Sequence, residues 1–139
     1  MLVACGATPP PQADREWTAN ARGIVRQLRG EVVAVSGYDR VDVARAGLRD
    51  ESQLYGLLVA YTDFGGCRHM VSALGVAPPS LTDVVSSLRA ACLHLQRADR
   101  LFARAAAQRE PRLLVGATRD ALASVPSLDA AALTLARGA

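Results

Sequence analysis

Two apolar segments, one from Tyr55 to Leu74 and one from Leu81 to Phe102, are separated by Gly75-Val-Ala-Pro-Pro-Ser80, and each carries one cysteine, Cys67 and Cys92. From Val84, the residues Leu88, Ala91, Leu95, Ala98, Phe102 and Ala105 follow at alternating steps of four and three. That spacing lines them up on one side of a helix, as a seam to be buried. Arg89, Gln96, Arg97, Arg100 and Arg104 fall mostly on the other side. Pro78-Pro79 cannot continue a preceding helix, and Ser80 with Asp83 three positions on predicts a capped start at about residue 81. On the earlier arm Leu54, Leu57, Leu58, Tyr61, Phe64, Val71 and Leu74 recur at helical intervals, with Gly75 as the stop. Two long helices joined by so short a loop must run antiparallel.

Cys67 lies about seven residues before the end of its arm and Cys92 about eleven after the start of the next, which at ~1.5 Å per residue puts them roughly 6 Å apart in height. A Cys67–Cys92 disulfide is therefore expected. The competing reading is two small unpaired core residues.

Upstream, Trp17, Ala21, Ile24, Leu28, Val32 and Val35 make another helical stripe that Ser36-Gly37 ends, with Gly23 and Gly30 inside it at a cost of about 1 kcal/mol each, tolerable if a neighbouring helix packs close there. Residues 38 to 53 read as mostly helical with one interruption, capped by Asp39 and then by Ser52, and Gly65-Gly66 invites a kink. After the hairpin, Pro111 suits a first helical position, and Leu114, Ala117, Ala121, Leu122 and Val125 form a last face. Pro126 must kink or interrupt that face, and Ser127 can cap a final segment through Leu128, Ala132 and Leu135. The expected fold is all-α: an up-down-up-down antiparallel four-helix bundle over 13–139, its last helix kinked. High alanine and sparse aromatic content favour closely packed helices over sheets.

The first residues, Leu2-Val3-Ala4-Cys5-Gly6, resemble the lipobox of bacterial lipoproteins, and Ala7-Thr-Pro-Pro-Pro-Gln12 behind them is a stiff, extended spacer. The resemblance implies that Cys5 is lipidated and tethers the domain to the outer face of the cytoplasmic membrane, with residues 1–12 as lipobox and spacer. It also implies a basic and an apolar stretch encoded upstream of Met1. With Cys5 so used, Cys67 and Cys92 remain as an even pair in an oxidising compartment. The alternative is a cytoplasmic helical regulator with three free thiols. All 16 basic residues are arginine, a usage that resembles the proteins of a high-GC bacterium.

Candidate chemistry is sparse. Cys67-Arg68-His69 and Cys92-Leu93-His94 contain zinc-ligand types, but residues two apart on a helix point about 200° away from each other, so no metal site is expected. No Gly-x-Ser-x-Gly elbow and no phosphate-binding glycine loop is present, and no catalytic residue or cofactor is expected. Asp63 should face solvent or cap the kink, and Asp99 should pair with an arginine of a neighbouring helix. The net charge of +3 comes from arginines scattered among acids, which argues against nucleic-acid binding. Two functions follow. One is a non-catalytic tethered domain that binds a protein or envelope component through a helix face. The other is a small-ligand carrier or sensor whose cavity is lined by Trp17, Tyr55, Tyr61, Phe64 and Phe102, with Trp17 otherwise an anchor at one end of the bundle.

Overall fold

A computed structural model describes residues 12–138, and all of its regular structure is helical, with no strand among those residues. The lipobox, Cys5 and the spacer up to Pro11 lie outside the described residues. Helix α1 (Gln12–Val35) takes in the last residue of the expected spacer. A 3-10 turn at Ser36–Tyr38 leads to α2 (Val41–Arg49), α3 (Glu51–Gly65) and α4 (Cys67–Ala73). A second 3-10 turn at Pro79–Leu81 precedes the long α5 (Thr82–Gln108), followed by α6 (Pro111–Ala123) and α7 (Val125–Arg137).

Cross-links fix the direction of α1 relative to two of its neighbours. Trp17 Nε1 donates to the Gly75 carbonyl at 3.4 Å and Gln27 Nε2 to Asp63 at 3.2 Å, so α1 runs opposite to α3 and α4. Arg22 donates to the Leu135 carbonyl at 3.1 Å and Arg29 pairs with Asp129 at 3.1 Å, so α1 also runs opposite to α7. On the far side, α5 packs against α3, α4, α6 and α7, while the short α2 closes one end over α6. Every position of the α5 seam from Val84 to Ala105 is buried. On α1 the buried stripe takes Val25 in place of Ile24, and on α7 Ala131 in place of Ala132, because each helix is turned slightly from the rotation the pattern suggested.

The interruptions are where local chemistry corrects the sequence reading. Asp50, not Ser52, caps α3, accepting from the Gln53 amide at 3.0 Å. Asp39 makes no cap for α2, whose N-cap residue is Arg40. Nor does Ser80 cap α5; the 3-10 turn supplies that entry through a Leu81 amide bond to the Pro78 carbonyl at 2.9 Å. Gly75 does stop α4, with a φ of +76° that an L-residue rarely adopts. Pro111 occupies the first turn of α6, where a missing N–H costs nothing, and Glu110 caps it by accepting from the Arg112 amide at 3.0 Å. The last break falls at buried Ser124, whose hydroxyl bonds the Ala121 carbonyl. Pro126 then sits in the opening turn of α7, and Ser127 lies inside that helix instead of capping it. No close neighbour makes up for Gly23 and Gly30, since both face open space among the described residues.

Candidate functional site

Cys67 and Cys92 are both fully buried and form a disulfide between α4 and α5, with their α-carbons 5.4 Å apart. The antiparallel hairpin brings them level, and Gly65-Gly66 breaks the earlier arm just ahead of Cys67. Gly65 also lets α5 approach closely, since a β-carbon there would run into the Asp99 carboxylate. Asp99 makes no inter-helix salt bridge among the described residues; burial raises its carboxyl above the usual range, while Arg100 beside it acts in the opposite sense. With both thiols consumed, His69 is exposed and His94 half-buried, and no three His, Cys, Asp or Glu side chains converge among the described residues.

Three of the five aromatic candidates come together and two do not. Tyr61 stacks on Phe102 at 4.4 Å between centroids with planes 3° apart, and meets Phe64 edge-on at 5.2 Å. These rings fill one another's space where α3 meets α5. The Tyr61 hydroxyl, buried beside Thr118, has no hydrogen-bond partner among the described residues, and burial pushes its pKa up. Trp17 is buried at the other end, tied to Gly75, which is the anchoring role. Tyr55 is 69 % exposed and points away from the cluster.

Tyr55 belongs to a second face of α3. Tyr55, Leu58 and Val59 are 69, 53 and 47 % exposed, and their spacing of three and four puts them on one side of the helix. From Ser52 to Thr62 this helix carries no charge, and its outer face sets Tyr55, Leu58 and Val59 among the exposed Ser52, Gly56 and Thr62, while Leu57, Ala60, Tyr61 and Phe64 fill the core. The sequence stripe mixed the two faces by including Leu58 among the buried positions.

A carboxyl pair between α1 and α3 had no signal in the sequence. Asp63 accepts from Gln27, which also reaches Glu31 Oε1 at 3.5 Å, and Glu31 Oε2 is closed off from solvent with no donor among the described residues. Burial first, and then the Asp63 carboxylate alongside, push Glu31 from its ordinary 4.5 up to about 8, against a smaller opposing effect of Gln27. Glu31 and Asp63 are far apart in the chain, and only the docking of α1 on α3 brings them together.

Two surface grooves complete the picture. One, of about 310 Å³, lies between α1 and α7 and is lined by Arg22, Arg26, Arg29, Val25 and Leu135. The other lies between α4 and α5 and is lined by Arg68, Ser72, Ser86, Arg89 and Leu93. The described helices include none long and apolar enough to cross a membrane. No protein-family model, no curated protein and no solved structure matches this chain.

Proposed function

We propose that this chain is a non-catalytic interaction domain, tethered through a lipid on Cys5 to the outer face of the cytoplasmic membrane, that binds a protein or envelope component through the outer face of α3. In this reading α1, α3 with α4, α5, and α6 with α7 act as four rods in up-down-up-down order, and α2 is an accessory at one end. The antiparallel cross-links between neighbouring rods support that arrangement.

The observation that carries the reading is the division of labour on α3. Its inner aromatic residues are spent on a packed interior, and its outer residues Tyr55, Leu58 and Val59 are apolar, adjacent and uncovered. A contiguous exposed apolar surface of this kind marks an association site more often than chance exposure does. The disulfide supports the compartment, since such bonds persist outside the reducing cytosol.

Two experiments test it. Expression from the native locus with labelled fatty acid should label the chain, and Cys5→Ser should abolish the label; an unlabelled native chain would remove the tether. A photo-crosslinking side chain at position 58 should yield a discrete adduct in intact cells, lost on Tyr55→Asp and absent when the crosslinker is at position 104. Equal yields from both positions would dismiss α3 as the binding face.

A further inference from the structure

The groove between α4 and α5 brings together charge that the linear sequence disperses. From Gly65 to Ala98 the chain contains Arg68, Arg89 and Arg97, and Asp83 is the sole carboxylate. Arg68 and Ser72 line the groove from α4, and Ser86 and Arg89 line it from α5, with both serines on the side nearer the connecting loop. Neither arginine makes a hydrogen bond or ion pair among the described residues. In the α1–α7 groove, by contrast, Arg22 is committed to the Leu135 carbonyl and Arg29 to Asp129.

We propose that the α4–α5 groove is a binding site for a phosphoryl group, held between Arg68 and Arg89 with hydrogen bonds from Ser72 and Ser86. A carboxylate has two oxygens, which a single guanidinium fork saturates, whereas a tetrahedral phosphate offers oxygens to two forks approaching from opposite sides and to hydroxyls as well. The disulfide fixes the spacing of the walls: Cys67 is the neighbour of Arg68, and Cys92 lies one helical turn from Arg89. Walls already locked together lose little freedom on binding. At about 610 Å³ the groove is larger than an inorganic phosphate needs, and Leu93, 61 % exposed, gives the remainder of a larger phosphoryl compound an apolar surface to lie on.

The test is titration of the isotopically labelled, oxidised chain with inorganic phosphate at constant ionic strength, followed by amide resonances. Saturable shifts should be confined to residues 68–72 and 86–93. Arg68→Gln and Arg89→Gln should each weaken binding about ten-fold, while Arg26→Gln, which removes an arginine from the other groove, should leave it unchanged. Shifts that never saturate, or an Arg26→Gln variant that loses as much, would overturn the site. A second arm separates the sources of the phosphoryl group. Sedimentation with phosphatidic acid vesicles, whose headgroup is a phosphomonoester, that Arg68→Gln abolishes assigns the site to a lipid headgroup, and phosphate binding without such sedimentation assigns it to a soluble phosphoryl compound.

Discussion

Glu31 is the residue whose environment most changes its chemistry. Unfolded, it ionises near 4.5; folded, burial and Asp63 hold its proton up to about 8. Between those values the native chain keeps a proton that the unfolded chain has released, so this group's contribution to stability falls as pH rises through that window and is fully lost above about 8. Glu31 as a whole is only partly buried, and screening by the surrounding solvent limits the effect to roughly 1 kcal/mol. Glu31→Gln should flatten the decline and leave the variant more stable than the parent at alkaline pH, as urea midpoints on either side of the window would show. A variant with an unchanged pH profile would rule out the shared proton. Tyr61 poses the complementary case of a buried hydroxyl beside Thr118 that lacks a well-formed hydrogen bond among the described residues. Tyr61→Phe keeps the stack on Phe102 and removes the unsatisfied group, so thermal unfolding should show stability unchanged or raised by about 1 kcal/mol. A loss of more than that would mean the hydroxyl has a partner after all.

At the level of elements, the disulfide and the exposed glycines act on stability from opposite directions. Linking α4 to α5 across a separation of 25 residues restricts the unfolded chain, a contribution of about 3 kcal/mol. Replacing both cysteines with alanine should lower the denaturant midpoint by the corresponding amount, and peptide mapping of the untreated chain should recover Cys67 joined to Cys92. Gly30 sits in the middle of α1 with nothing near the position of a β-carbon. Gly30→Ala should therefore stabilise the helix by about 0.5–1 kcal/mol, measured in the same denaturation series. Reduced stability would show that some neighbour does need the missing side chain. The caps were the least legible elements: Asp50, Ser52 and Asp39 are all competent cap residues by type, and only the path of the chain selects Asp50.

Across the whole molecule, Tyr61, one of the largest fully buried side chains, stacks on Phe102 where α3 crosses α5. Phe102→Ala opens that crossing and should cost about 3–5 kcal/mol, a large share of what a domain of this size has available, with a fall in melting temperature readable by circular dichroism. A near-neutral result would indicate that the interior closes over the lost ring. The all-helical fold, the buried seam from Val84 to Ala105 and the feasibility of the Cys67–Cys92 bond were determined by the sequence, because all three depend on the 3.6-residue repeat and on distance counted along one hairpin. The tertiary structure alone decided that Tyr55 turns outward, that Glu31 meets Asp63, and that Arg68 stands across a groove from Arg89. Each residue advances about 100° around its helix, so a rotation too small to disturb the buried stripe changes which flanking side chains face each other, and only the packing of neighbouring helices sets that rotation.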